Sequence, residues 1–204
     1  MSVENERLGR VVVITIRREH KRNAIDAAIT AGLDAALNNL EDDPELWCGI
    51  LTGGQKVFSA GADLASGTGD PTPRGGPAGI IRRHRTKPLI AAVEGYAIGG
   101  GMEMVLCCDL VVAARTAMFG LPEVKRGLMP DFGGAFRVAR MLPANVAREM
   151  LLTGAAIVNA EISGNEEPSW ERSDAAHARL VASEDVREGI EAFFGHRAPR
   201  WHGC

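Results

Sequence analysis

The spacing of apolar residues along the chain predicts short strands that alternate with helices. Four apolar runs have the length of buried strands: VVVITI (11–16), CGILTG (48–53), LIAAVEG (89–95) and DLVVAA (109–114). After the first run, apolar residues recur three or four positions apart, which predicts a helix over residues 25–40: Ile25, Ile29, Leu33, Leu37 and Leu40. Few segments are typical of tight hairpins, so the alternation favours an α/β layered fold.

Further helices are predicted toward the C-terminus, at 78–87, from about Gly100 onward, at 133–142 and at 143–154. Residues 119–127, FGLPEVKRG, predict a turn with at most a short helix. A basic patch lies on the first of these helices, and we interpret it as a solvated face or as a contact for ligand phosphates: Arg82, Arg83, Arg85 and Lys87. From Ile157 onward the apolar periodicity collapses into fragments of helix and loop.

Composition narrows the classes of partner. The 204 residues carry a net charge of −3 with a pI near 6.0, which argues against nucleic acid or an anionic membrane as a partner. No apolar run approaches the roughly 18 residues that a membrane span needs. The polar start MSVENERLGR lacks the apolar core of a signal peptide, so we expect a cytoplasmic protein. The four cysteines lack the spacing of a zinc site, and no metal is predicted.

The stretch GYAIGGGMEMVL places a carboxylate inside an apolar run. Glycines 99–101 follow a predicted strand and open a predicted helix, so their backbone N–H groups are available to a negatively charged oxygen. No nucleotide-binding glycine motif is present, which favours an oxyanion hole over a phosphate cradle. FSAGADL (58–64) offers small residues from which a second N–H could reach the same oxygen.

Two acids accompany these glycines. Glu103 follows them directly, and Glu123 lies twenty residues later. A carboxylate pair beside an oxyanion hole fits proton transfer next to a carbonyl group. Each feature alone has an ordinary interpretation, since a glycine run is usually a turn and a glutamate after proline usually starts a helix. Their combination in this order favours the catalytic interpretation.

Four stretches together resemble the crotonase superfamily, the enoyl-CoA hydratase/isomerase family. HKRNAIDAAI (20–29) resembles its N-terminal signature, FSAGADL its first oxyanion-hole motif, and residues 91–143 its core signature. The closing segment, residues 183–204, resembles the family's C-terminus. The resemblance covers 1–156 and about 183–204. Within the family, the pattern is most similar to that of the carnitinyl-CoA dehydratases.

The resemblance implies the crotonase (ClpP-like) spiral of ββα turns, an α/β fold with a C-terminal helical trimerisation segment, assembled as homotrimers or dimers of trimers. It implies Glu103 and Glu123 as catalytic residues and the N–H groups of Ala62 and Gly100 as the oxyanion hole. It implies an acyl-CoA thioester as substrate, with coenzyme A as part of that substrate and no further cofactor. The implied CoA-binding residues are Lys21, Arg22, Ala60, Gly61, Ala62, Asp63 and Leu64.

The activity implied is that of a hydro-lyase that adds water to, or removes it from, the 2,3 double bond of an acyl-CoA. An alternative is a double-bond isomerase that uses Asp131, because dienoyl-CoA isomerases carry an aspartate at that place. The ordinary interpretation of Asp131 is an N-cap of the helix that follows. A further alternative is a crotonase-fold binding protein without catalytic activity.

Domain organisation follows the same resemblance. We predict a spiral core at 1–156 and a C-terminal helical oligomerisation segment at 157–204. Family members are longer, and the shortfall falls after Ile157. Two explanations remain open: the printed sequence lacks flexible segments, or the protein has lost them. An intact mass near 21.7 kDa would exclude the first.

Overall fold

The computed structural model describes residues 2–153 and 167–202; at 167–169 and 172 it describes the backbone alone. The chain forms two compact units, Met1–Gly120 and Leu121–Cys204. The irregular stretch predicted from Ile157 to residue 166 lies outside the described residues. The predicted division at 156/157 therefore stays a prediction.

The first unit is built on two sets of strands. The larger sheet has the order β1 (Val3–Leu8), β2 (Val11–Ile16), β3 (Cys48–Thr52), β4 (Leu89–Val93) and β6 (Leu110–Ala113). Only the β1–β2 pair is antiparallel, and the other pairs of this sheet are parallel. The smaller sheet pairs β5 (Tyr96–Ile98) with β7 (Met118–Gly120) in parallel. All four strands predicted from apolar runs are confirmed.

The first unit combines strands with helices, and the described part of the second unit is built from helices. The first unit contains α1 (Ala27–Asp42) and α2 (Gly100–Val105). In the described part of the second unit the helices are α3 (Gly134–Met141), α4 (Ala144–Leu152), α5 (Glu167–Val181) and α6 (Glu184–Phe194). Helix α1 begins after Asp26, whose carboxylate accepts the Ile29 N–H at 2.9 Å and so caps the helix. The four predicted apolar residues within α1 are each at most 1% exposed: Ile29, Leu33, Leu37 and Leu40.

An order of strand, strand and helix repeats along the chain. β4 is followed by β5 and α2, and β6 is followed by β7 and a 3₁₀ turn at Glu123–Arg126. Single parallel bridges extend the smaller layer, because Ile25 pairs with Ala62 and Ser59 pairs with Ala97. Each repeat thus adds one segment to the larger sheet and one to the smaller layer. The loop that carries Ala62 and the strand that leads to Gly100 become neighbours in this way.

The helix predicted at 78–87 is wrong. The chain forms one 3₁₀ turn at Pro77–Gly79, with Ala78 at φ 52°, and then runs without regular structure to β4. The cations that suggested a solvated helical face are engaged within the fold. The Arg83 guanidinium pairs with Asp34 and its side chain is 1% exposed. Lys87 Nζ donates to the carbonyls of Leu40 and Asp43 at 2.7 and 2.6 Å, and these bonds hold an irregular chain against α1.

One edge of the larger sheet is apolar and exposed. β6 ends the strand order, and all four of its residues are exposed, with Leu110 at 61% and Val112 at 66%. Met118, at the start of β7, is 61% exposed. Unpaired strand edges with apolar side chains are typical of surfaces that pair with another chain. Across the described residues, no helix is both long and apolar enough to cross a membrane.

Candidate active site

The loop of residues 58–63 leaves one backbone N–H without a partner. Its other five N–H groups donate to neighbouring atoms: Phe58 and Ser59 to Tyr96 O, Ala60 to Arg22 O, Gly61 to Ser59 Oγ, and Asp63 to Ile25 O. Ala62 N–H has no hydrogen-bond partner among residues 2–153 and 167–202. In the parallel bridge, Ile25 bonds to the residues on either side of Ala62. The N–H of Ala62 therefore points away from Ile25.

The N-terminus of α2 supplies the second donor. Gly99 N–H donates to Gly120 O at 2.9 Å, and Glu103 N–H donates to Gly99 O at 3.0 Å. Gly100 N–H lies between these bonded groups and, within the described segments, has no partner, as expected of the first turn of a helix. Among the described residues, the two N–H groups that the resemblance implies as an oxyanion hole are therefore both unbonded.

Gly61 brings these two donors together. Its φ of +90° lies in the region that favours glycine. A Cβ at this position would lie 2.8 Å from Ile98 O and 2.9 Å from Gly100 N. Gly101 serves the same approach, since a Cβ there would lie 2.4 Å from Ser59 O. Glycine is needed here because the loop and the start of α2 are in backbone contact.

Asn23 binds the start of this loop and the residues before it. It is fully buried, and its side-chain amide donates to the carbonyls of Gly53, Val57 and Phe58 at 2.8–3.2 Å. Its own carbonyl accepts the Ser59 hydroxyl at 2.8 Å. The φ of 53° at Asn23 is one that asparagine tolerates better than most residues. Asn23 lies in the N-terminal signature HKRNAIDAAI, but no local pattern in the sequence distinguishes it from its neighbours.

An ion-pair network flanks the same loop. The Arg18 guanidinium contacts Asp26 Oδ2 at 3.0 Å and Asp63 Oδ2 at 2.8 Å. The other oxygen of Asp63 accepts the N–H groups of Ala65 and Ser66. The hydrogen bond from Arg18, with these backbone donors, lowers the pKa of Asp63 to about 2. Asp63, predicted as a CoA-binding residue, therefore also anchors the loop.

This network predicts a pH-dependent stability difference. A carboxyl group whose pKa is lower in the folded than in the unfolded state adds stability that is lost as the pH falls through the folded pKa. We expect Asp63→Asn to lower the unfolding free energy, with a difference from wild type that is constant above about pH 5 and narrows below about pH 4. Urea denaturation across this range measures it, with exposed Asp70→Asn as control. A difference that stays constant down to pH 3 would contradict the assignment.

Glu103 lies in the first turn of α2 and is buried, at 2% exposed. The neighbouring Met102 and Met104 are 5% and 0% exposed. The carboxylate therefore does not turn outward to solvent, which answers the question raised by its apolar context. The N-terminus of α2 thus presents a buried carboxyl group and, at Gly100, an unbonded N–H. This combination is suited to proton transfer at a polarised carbonyl.

Glu123 belongs to the second unit, at the start of the 3₁₀ turn Glu123–Arg126. Its Oε2 is buried and, in the described part of the chain, forms no hydrogen bond. Burial, together with the negative charge of Asp131, raises the pKa of Glu123 to about 7. A carboxyl with such a pKa is present in both protonation states near neutrality, as a group that exchanges protons with substrate requires.

Asp131 does not cap a helix, so the N-cap interpretation is wrong. Helix α3 is preceded by Gly133 with a left-handed φ of 92°, and no side chain caps it. Asp131 Oδ2 instead lies 3.1 Å from His177 Nδ1 on α5. Burial, aided by the charge of Asp174, raises the pKa of Asp131, while His177 opposes the increase. Asp131 is thus an acid whose charge acts on Glu123.

The remaining CoA-binding candidates lie in the loop or next to it. Lys21 ends a 3₁₀ turn and is exposed, as is Arg22. Arg22 has a φ of 55°, and its carbonyl accepts the Ala60 N–H at 3.0 Å. Ala60 and Leu64 are half-buried. Their CoA contacts stay predictions. Over the described ranges, no group of three His, Cys, Asp or Glu residues could hold a metal ion.

The family model described as enoyl-CoA hydratase/isomerase matches residues 6–165 of the chain. The chain belongs to the enoyl-CoA hydratase/isomerase family. A solved relative in this family, described as carnitinyl-CoA hydratase from Mycobacterium avium, superimposes with a TM-score of 0.90 at 35% identity, covering 100% of this chain and 99% of that one. The predicted α/β crotonase fold is thereby confirmed.

Sequence relatives in the enoyl-CoA hydratase/isomerase family have related names. A carnitinyl-CoA dehydratase from Salmonella enteritidis is 44% identical over 160 residues, which cover 75% of this chain. The matched part spans 61% of that relative's length. A carnitinyl-CoA dehydratase from Salmonella typhi is 35% identical over 258 aligned positions, covering 99% of this chain and 98% of the relative. That alignment is longer than this chain of 204 residues, so it contains gaps.

Proposed function

We propose that this chain is a hydratase-type hydro-lyase that adds water to, or removes it from, the 2,3 double bond of an acyl-CoA thioester. One observation carries the proposal: Ala62 N–H and Gly100 N–H are the unbonded donors of two backbone segments that Gly61 brings into contact. Such a pair is suited to a thioester oxygen that gains negative charge. The names of the family relatives support the same class of reaction.

The chemistry proceeds through an enolate. Hydrogen bonds to the thioester oxygen polarise the conjugated double bond, so that water can add at Cβ. The enolate that results takes a proton at Cα. One carboxyl group must remove a proton from water and another must supply one to carbon. We assign these two roles to Glu103 and Glu123, and the raised pKa of Glu123 supports its part in the exchange.

Hydration of crotonyl-CoA tests the proposal directly. Loss of the conjugated thioester absorbance, with formation of 3-hydroxybutyryl-CoA detected by mass spectrometry, is the expected result. A binding protein without activity would retain crotonyl-CoA without turnover. A panel of acyl-CoA esters that includes carnitinyl-CoA would then identify the preferred acyl group.

The isomerase alternative rests on Asp131. A third acid near Glu123 favours moving a proton between carbons over the addition of water, because its charge raises the pKa of its neighbour. Retention of glutamate at position 103 favours hydration or dehydration, since isomerases with an acid there usually carry aspartate. Conversion of a 3,5-dienoyl-CoA faster than hydration of crotonyl-CoA would replace the hydratase proposal.

Asp131→Asn is expected to retain measurable hydratase activity, whereas Glu103→Gln is not. Removal of the Asp131 charge also lowers the pKa of Glu123, so the limb of the kcat/KM profile that Glu123 controls should move to lower pH. Rates measured from pH 5 to 9 with crotonyl-CoA check both expectations. An unshifted profile in Asp131→Asn would show that the two carboxyl groups do not interact.

We expect a homotrimer or a dimer of trimers. The described C-terminal segment leaves large apolar side chains exposed, with Phe193 at 44%, Phe194 at 52% and Trp201 at 47%. β6 adds an unpaired apolar edge in the first unit. Light scattering at micromolar concentration should give three or six times the chain mass of 21.7 kDa. A monomer would contradict the prediction.

Coenzyme A would enter this reaction as part of the substrate, with no further cofactor, and the exposed cations Lys21 and Arg22 are suited to its phosphates. We further propose that the protein acts in the cytoplasm.

A further inference from the structure

Arg18 connects three segments around the proposed oxyanion hole. Its Nε contacts Asp26 Oδ2, and its terminal NH1 group contacts both Asp63 Oδ2 and the carbonyl of Ala24, the latter at 2.9 Å. The side chains of Arg18, Asp26 and Asp63 are only 15%, 19% and 11% exposed. Ion pairs at this depth are screened less by solvent than surface pairs are.

Backbone contacts join the same segments from the other side. Arg18 N–H donates to the Asn23 side-chain carbonyl at 2.8 Å, and Asn23 holds the start of the loop by its amide. Residues 18–26 thus bind both ends of the loop of residues 58–63: Asn23 binds its start, and Arg18 binds its end. Ala62 lies directly before the residue that Arg18 binds.

We propose that Arg18 is a positioning residue for the Ala62 N–H, which it holds in line with Gly100 N–H through its ion pair with Asp63. This role rests on the proposed function, because it concerns the donor that would face the thioester oxygen. In this proposal Arg18 acts through Asp63 and has no contact with substrate assigned to it.

The direction of the Ala62 N–H depends on how firmly the residues on either side of it are held. Ile25 bonds to the backbone on either side of Ala62, through its N–H to Gly61 O and through its carbonyl from Asp63 N–H, and both of these bonds lie on the Ile25 side of the loop. The ion pair with Arg18 holds the side chain of Asp63, the residue after Ala62. Asp26, which caps α1, holds Arg18 in turn. Loss of Arg18 leaves the carboxylate of Asp63 without its charged partner, so the loop would move to hydrate it. Donors in such sites act only within a narrow range of geometry.

The experiment compares Arg18→Met with wild type on crotonyl-CoA. We expect kcat to fall about 10- to 100-fold, because a displacement of about 1 Å in a catalytic group has effects of that size. Arg18→Lys should recover part of the loss, since an ammonium can pair with one carboxylate. Binding of acetoacetyl-CoA gives a second readout: the fraction bound as its enolate, measured by near-ultraviolet absorbance, should fall more than the affinity for free CoA.

Arg83→Met is the matched control. Arg83 also forms a buried ion pair in the first unit, with Asp34, and it contacts α1 rather than the loop. If the loss of any buried ion pair were enough to lower kcat, both variants would lose activity and enolate fraction to the same extent. We expect Arg83→Met to lose stability but to keep the enolate fraction of wild type.

Two results would overturn the inference. One is a folded Arg18→Met protein with the kcat and enolate fraction of wild type. The other is equal losses in Arg18→Met and Arg83→Met. If Arg18→Met does not fold, Asp63→Asn removes the ion pair while its side-chain oxygen can still accept from Ala65 and Ser66, and the same measurements then decide. Failure of wild type to hydrate crotonyl-CoA would instead contradict the proposed function itself.

Discussion

Glu123→Gln should lose about 10²- to 10⁴-fold in the rate of crotonyl-CoA hydration, the usual effect of removing a general acid or base. The amide is close in shape to the carboxyl group but cannot exchange a proton with water or carbon. The buried Oε2 of Glu123 and the pKa of about 7 identify a group that can hold or release a proton at neutral pH. Affinity for a CoA ester should be largely retained, which isothermal titration measures beside the rate.

The stability of this variant separates catalytic loss from misfolding. The pKa of Glu123 is higher in the fold than in the unfolded chain, so its contribution to stability is lost as the pH rises through about 7. An uncharged amide avoids that loss, and Glu123→Gln should be at least as stable as wild type at pH 8. Glu149→Gln, an exposed change on α4, should leave the rate unaltered. Near-normal turnover in Glu123→Gln would remove Glu123 from the mechanism.

Gly100→Val should reduce kcat by about 10²-fold or more, an effect comparable to loss of one oxyanion donor. Gly100 lies within α2 and is not among the glycines with positive φ, so its backbone conformation suits other residues. Glycine and valine are both mediocre in helices, and the fold should change little. The added isopropyl group would obstruct the oxygen that Gly100 N–H is proposed to bind.

A graded series makes this test sharper. Gly100→Ala should lie between wild type and Gly100→Val in rate, because obstruction increases with the size of the side chain. Circular dichroism and thermal unfolding identify any variant that fails to fold. Wild-type turnover in folded Gly100→Val would mean that the oxyanion hole lies elsewhere.

The sequence was informative where one physical cause dominates. The helical face of α1 follows from four apolar residues that are buried as their spacing predicts. The glycine run at 99–101 indicated an N-terminus with free N–H groups, and α2 begins at Gly100. The resemblance added the partner donor at Ala62, which no local pattern could have distinguished from its neighbours.

The sequence was uninformative where distant contacts decide. β1 is polar except at its ends, and it forms because β2 offers a pairing partner. β5 and β7 are each three residues long, too short to show an alternation of apolar and polar residues. The segment at 78–87 has helical composition, but Arg83 and Lys87 hold it in irregular form against α1. Asp131 has the chemistry of an N-cap, yet His177 engages it from another helix. None of these pairings leaves a local signature.

In the proposed site, Ala62 and Gly100 would each offer the substrate a main-chain N–H rather than a side chain, and this affects how the site can change in evolution. Apart from proline, which lacks an N–H, a substitution cannot delete a main-chain donor; it can only crowd it or displace it. Sequence change at position 62 is therefore limited by the loss of the donor in proline and by the volume of the side chain. Removal of the donor with the side chain unchanged needs a change of the polymer, such as replacement of the Gly61–Ala62 amide by an ester in a semisynthetic protein. A mutational scan without proline would find small residues tolerated at position 62 and so would overlook the donor proposed there.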